Sequence, residues 1–191
     1  VSQASPSKRG EVRLDAVTEP ARRHKTTALP LALAYTALIV YASLYPFSEW
    51  RDQGIVPWAY LAAPWPKYWT GFDLGVNVVG YMPLGFLIAL VVLRTWPGAG
   101  VLRAVAQAGA AGAALAFGME TLQSYLPSRI PSNVDLGLNS LGTLLGAALA
   151  AVAERTGVVA HWGRARASWF VDEARGALGL LALWPAALLF R

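Results

Sequence analysis

Glu120–Gly146, ETLQSYLPSRIPSNVDLGLNSLGTLLG, sets an acid, an amide, a lone Arg, a second acid and a second amide between two strongly apolar runs. Polar side chains are costly in hydrocarbon and are kept there where they pair or line a wet cavity. A helix-sized apolar run ends in Glu120-x-x-Gln123, and another starts with Asp135-x-x-x-Asn139. The stretch therefore reads as two membrane helices meeting at a polar site on one membrane face.

The rest of the chain supports that solvent. Of 191 residues, 55% are hydrophobic and 14% charged, whereas an ordinary soluble domain carries roughly a quarter charged residues. Five apolar segments stand out: Ala28 to Phe47, Leu74 to Leu93, Val101 to Met119, Leu136 to Ala153 and Gly176 to Phe190. The first two have the length that spans ~30 Å of hydrocarbon. The third carries Arg103 near its start, where a long side chain can reach the interface. The fourth is marginal and holds Asn139; the fifth is short, broken by Trp184-Pro185, and stops at Arg191. Further helices are expected to follow it.

Residues 1–27 are polar and basic, without apolar periodicity, and read as a disordered cytoplasmic tail. Residues 48–72 hold Trp50, Trp58, Trp65, Trp69, Tyr60 and Tyr68 among prolines. That composition suits an interfacial lid or re-entrant segment, because Trp and Tyr favour the headgroup layer. Gly109, Gly112, Ala113, Ala116 and Gly118 would let helices approach closely, and Gly142-x-x-x-Gly146 reads as an internal packing face. Residues 154–175, with four Arg, two Trp and Phe170, suit a helix lying on the membrane surface.

With the N-terminus in the cytoplasm, twelve basic residues fall on the cytoplasmic side and only Arg51, Lys67 and Arg129 on the other. This is a strong positive-inside bias. It predicts a multi-pass protein of a bacterial cytoplasmic membrane, with Asp73, Glu120, Arg129 and Asp135 at the extracytoplasmic face. The same sorting makes the net charge of +5 a topology signal and not a nucleic-acid one. No cysteine is present, which removes disulfides, Cys-ligated zinc and thiol catalysis. No metal or other cofactor is expected.

Asp73-Leu-Gly-Val-Asn77-Val-Val-Gly80 and Asp135-Leu-Gly-Leu-Asn139-Ser-Leu-Gly142 are identical at five of eight positions and exchange Val for Leu at two more. The expected architecture is thus all-α, a polytopic transmembrane bundle of two parallel-repeat helical hairpins (four spans, residues 28–153) with a partial or following fifth span over 176–191. Asp73 and Asp135 stand where helix N-caps stand. Asn77 and Asn139 lie one turn deeper and need partners, either each other or a ligand. Glu120 sits at the unfavourable end of its helix dipole and is expected to pair with Arg129. That pair either fixes the connection or forms an Arg–carboxylate site for a polar or anionic headgroup, phosphate first.

Taken in order, Asp73-x3-Asn77 with Pro83-Leu84-Gly85, Glu120-x-x-Gln123, Arg129, and Asp135-x3-Asn139-x-x-Gly142-x3-Gly146 resemble the VanZ-like family of bacterial membrane proteins. The resemblance covers about residues 30 to 153 and rests on the ordered set. It implies a membrane-helical fold with Asp73, Asn77, Glu120, Gln123, Arg129, Asp135 and Asn139 as ligand-binding residues. The family takes its name from a protein associated with low-level teicoplanin resistance, and the resemblance implies no particular chemistry.

Three functions compete. The first is a non-enzymatic envelope protein whose extracytoplasmic cleft binds a lipid headgroup, a lipid-linked cell-wall precursor or a glycopeptide-like amphiphile, either alone or as a homo-oligomer. The second is a hydrolase or transferase of lipid-linked substrates using Glu120 and Asp135 as acid and base, with Arg129 stabilising charge. His24 and His161 both fall on the cytoplasmic side, which weighs against it. A transporter is the third, and four or five spans would require oligomerisation for it. The first reading fits the polar cluster and the aromatic loop best.

Overall fold

A computed structural model of the protein describes residues 27–65, 70–96 and 98–162. The basic tail, most of the 154–175 segment and the 176–191 segment lie outside the described residues. Among the described residues the chain is all helical: α1 (Ala28–Leu44), a short 3-10 turn (Ala59–Ala62), α2 (Gly71–Thr95), α3 (Val101–Gln123) and α4 (Asn133–Arg155). The helix resumes at 158–162 after Gly157, whose φ is +72°.

Three helices, α2, α3 and α4, are long and apolar enough to cross a membrane. Their 25, 23 and 23 residues reach about 35 Å at 1.5 Å per residue. Only 28–39% of each span is buried inside the chain, so most of its apolar surface faces outward. α1 is shorter than expected, because its last turn closes at Leu44 before Tyr45-Pro46, and it keeps 17 residues. Proline removes the backbone donor that another turn would use.

The chain runs up and down. Gly142 and Gly146 of α4 lie against the carbonyls of Val78 and Met82 of α2, and farther along Arg94 pairs with Glu154 at 3.0 Å. The two helices are therefore parallel, and theirs is the largest interface. α3 runs antiparallel to them, with Gly109 against Leu144 and Gly112 against Thr143. Backbone contact is what the glycines allow. A Cβ on Gly85 would fall on the Thr143 carbonyl, and one on Gly146 on the Met82 carbonyl. Thr143, fully buried, sits where α2, α3 and α4 meet and returns its hydroxyl to Asn139 O at 2.9 Å. The glycine pair in α4 thus serves packing within the chain. Gly118, expected on a packing face, has open space where its Cβ would be.

The core is layered. At one end Ala28, Ala89, Ala108, Ala147 and Ala150 pack as a small-residue layer. At the other, Ile39, Leu44, Tyr81, Leu84, Met119 and Leu126 form a bulkier one. Small residues trade apolar area for close van der Waals approach, the main attraction left to helices in lipid.

The aromatic loop is folded onto the bulkier end. Arg51 N donates to Tyr125 O at 3.0 Å, Gln53 Nε2 to Ser124 O at 2.6 Å, and Asn133 Nδ2 to Ala63 O at 2.8 Å. Tyr60 is buried beside Phe117 and Thr121, and burial raises its pKa, which keeps the phenol a donor. Trp50, Trp58 and Trp65 remain exposed.

Gly146→Ala should cost about 1–3 kcal/mol by overpacking, whereas Gly118→Ala should be neutral or stabilising by up to about 1 kcal/mol. Thermal unfolding in detergent micelles measures both, and equal melting shifts would contradict backbone contact at Gly146.

Candidate functional site

The ends of four helices meet at the bulkier layer: the C-termini of α1 and α3 and the N-termini of α2 and α4. Each N-terminus starts with a hydroxyl cap three residues ahead of an acid, Thr70-Gly-Phe-Asp73 and Ser132-Asn-Val-Asp135. The N-caps are therefore Thr70 and Ser132, not the expected Asp73 and Asp135. A short hydroxyl one turn before the acid reaches the free N–H groups more directly.

The two starts are then completed differently. In α2 the capping box closes on itself, with Asp73 Oδ2 accepting from Thr70 N at 3.0 Å and Thr70 Oγ1 at 2.8 Å. Asp73 is exposed and does not line the cleft described below. In α4 the Ser132 N–H is taken by Glu120 Oε2 at 2.7 Å, reaching from the end of α3. Asp135, relieved of that bond, accepts instead from Asn77 Nδ2 of α2 at 2.9 Å. The carboxylate at α3's negative end is thereby met by the positive start of α4.

The expected Glu120–Arg129 pair does not form. Arg129 Nη2 donates to Ala42 O at 3.2 Å and Tyr45 O at 3.0 Å, and Gln123 Nε2 donates to Ser43 O at 3.0 Å. Tyr41 O accepts from Tyr45 N, and Leu44 O from Phe47 N. All four carbonyls that the last turn of α1 leaves open are satisfied, two of them by side chains from the α3 end and the α3–α4 connection. A guanidinium at a helix C-terminus also suits the dipole. Those carbonyls outcompete Glu120 for it.

These groups enclose a cleft of about 740 Å³. Six of the seven expected residues line it: Asn77, Glu120, Gln123, Arg129, Asp135 and Asn139. Glu120 is only 4% exposed. Two tyrosines that sequence reasoning missed also line it, Tyr35 and Tyr81. Tyr35 Oη donates to Gly80 O at 2.8 Å, tying α1 to α2. Tyr81 lies four residues after Asn77, on the same helix face, and that spacing was the signal available for it.

Two residues that line the cleft carry buried polar atoms with no hydrogen-bond partner among the described residues: Tyr81 Oη and Asn139 Oδ1. Their residues are 6% and 5% exposed. Asn77 thus has its partner in Asp135, while the Asn139 carbonyl does not. The cleft's carboxyl groups, Glu120 and Asp135, each use one oxygen on the protein. Its guanidinium shows hydrogen bonds only through Nη2. The lining residues thus keep unused capacity, acceptors at the second carboxyl oxygens and donors at the remaining guanidinium N–H groups. Among the described residues no three His, Cys, Asp or Glu side chains gather as metal ligands.

In comparisons with known proteins, a family model described as VanZ/LLP1 matches residues 18–154. Neither the curated proteins nor the solved structures give a match.

Glu120→Gln keeps an acceptor for Ser132 N and should cost about 1 kcal/mol, whereas Glu120→Leu should cost about 1–3 kcal/mol by stranding that donor. Thermal melts of the two variants test this, and equal losses would rule out the cap. Arg129→Met should speed amide exchange over 41–47 while 78–92 keeps its protection. Equal deprotection of both stretches would show that Arg129 supports the whole bundle and not α1 alone.

Proposed function

Because the chain belongs to the VanZ/LLP1 family, and its long apolar helices fit a VanZ-like membrane protein, we propose that its cleft binds the polar head of an envelope amphiphile. The candidates are a lipid headgroup, a lipid-linked cell-wall precursor or a glycopeptide-like drug. The observation that carries this reading is that two residues lining the cleft, Tyr81 of α2 and Asn139 of α4, hold buried, unpartnered atoms, Oη and Oδ1. Leaving a buried polar atom unpaired costs about 1–3 kcal/mol. A cleft whose lining residues keep two such atoms, with carboxyl groups and a guanidinium edge, is suited to a guest carrying both donors and acceptors.

The four helix ends at the cleft, together with the positive-inside bias of the sequence, favour an opening on the extracytoplasmic side of a bacterial cytoplasmic membrane. Binding is favoured over catalysis because both carboxyl groups have structural work. Glu120 caps α4 and Asp135 holds Asn77. An acid–base cycle would break those bonds at each turnover.

Tyr81→Phe tests the reading. Removing an unpartnered buried hydroxyl should leave the melting temperature unchanged or raise it, while resistance to glycopeptide or envelope stress falls in cells with equal membrane abundance. Loss of stability with unchanged resistance would instead make Tyr81 a packing residue and remove the main support for the site. Asn139→Leu, scored the same way, serves as the second variant.

A further inference from the structure

Polar groups of α2, α3 and α4 wall the cleft, but toward the α1–α2 seam its lining also includes apolar side chains. Leu38 of α1 and Val76 of α2 both line the cleft, yet they are 55% and 52% exposed. A side chain that both lines a cavity and faces outward marks an opening. Here the opening points sideways, between two helices whose outer surfaces are apolar. A hydrogen bond from Tyr35 Oη to Gly80 O bridges this seam.

Outside the seam runs a second hollow of about 530 Å³ along α2, lined by Gly71, Phe72, Gly75, Val76, Val79 and Gly80. It shares Val76 and Gly80 with the cleft, so the two adjoin at those residues. Its lining is apolar or glycine, and Phe72 and Val79 are well exposed. Gly75 and Gly80 have open space where a Cβ would stand. Their lack of side chain, unlike that of Gly85 or Gly146, is not explained by a neighbouring helix. Glycines at both positions leave the neck and the groove clear.

We propose that the cleft is filled sideways from the bilayer by an amphiphile with an alkyl chain. The polar head lodges against Tyr81, Asn139 and Glu120, and the chain leaves past Val76 and Gly80 across the α2 groove into hydrocarbon. The inference rests on the head-binding reading above and adds to it the route and the chain. A polar head joined to an apolar tail is the one chemistry that matches a polar pocket opening onto an apolar groove. Beside lipid the apolar chain gains little by moving from hydrocarbon into the groove, so the head supplies the selectivity.

The test uses the full chain in nanodiscs doped with a phospholipid or a polyprenyl phosphate, each carrying a diazirine near the head end of its chain. Irradiation should label Leu38, Val76 and Val79 above other lipid-facing positions such as Leu102, Leu145 and Val152. The probe that labels more strongly identifies the source of the chain, and either result supports the route. Gly80→Leu, which plugs the neck, and Gly75→Leu, which fills the groove without touching α1, should each cut that labelling about tenfold, the equivalent of about 1.4 kcal/mol. Tyr81→Phe should cut it too.

Labelling spread evenly over all lipid-facing sides and unmoved by either glycine variant would mean annular lipid only and would overturn the route. Loss with Tyr81→Phe but not with the glycine variants would overturn the route while leaving the head site standing. Loss with the glycine variants but not with Tyr81→Phe and Asn139→Leu would overturn the head site, and this inference with it.

Discussion

A single hydrogen bond sets the geometry of the polar end: Glu120 Oε2 accepting the Ser132 N–H at 2.7 Å. It joins the finish of α3 to the start of α4 with an acid where a helix start wants one. It also replaces the bond that Asp135 would otherwise make to its own cap, as Asp73 does in α2. Asp135 can then reach Asn77 across the helix pair. Two nearly identical sequence motifs thus end in two different states, one closed on itself at the surface and one opened toward the interior. The difference comes from a residue in neither motif.

The polar cluster tolerates this because the packing beneath it is unusually close. Gly85, Gly142 and Gly146 bring the backbones of α2 and α4 into contact, which leaves those helices little freedom to shift relative to one another. Rigid backbones can hold a buried amide carbonyl and a phenol without partners, since the wall cannot relax to pair them. A looser, larger-residue interface would let those side chains turn to some neighbouring backbone group. Small residues below and unpaired polar atoms above belong to the same design constraint.

Much of this was legible in the sequence, for definite reasons. Asn77, Glu120, Asp135 and Asn139 are visible because polar residues inside apolar runs have few cheap explanations. The parallel course of α2 and α4 follows from the succession of apolar runs, because α3 between them returns the chain to the same end. What was not legible turned on partners that carry no sequence signal. Arg129 was matched with the nearest acid, but its acceptors are backbone carbonyls of α1, and any residue supplies a carbonyl. Asp73 and Asp135 look like caps in the sequence, but the hydroxyls of Thr70 and Ser132 three positions earlier are what accept from the free N–H groups. Tyr81 escaped notice because a tyrosine looks at home in an apolar helix, and only its register with Asn77 betrays it. The length of α1 was overestimated by letting the apolar run continue through Tyr45-Pro46, where hydropathy persists but the helix cannot.

The brevity of α1 has a consequence for the membrane itself. Seventeen residues make a rod of about 26 Å, against ~30 Å of hydrocarbon in a typical bilayer, and its neighbour α2, with 25 residues, is about 12 Å longer. Lipid around such a helix set would meet unequal hydrophobic heights on its different flanks. Hydrophobic mismatch of this sign is relieved by drawing the leaflets together beside the shorter helix. A bilayer would then be thinnest, and its headgroups deepest, along the α1 flank, beside the helix that forms one wall of the cleft.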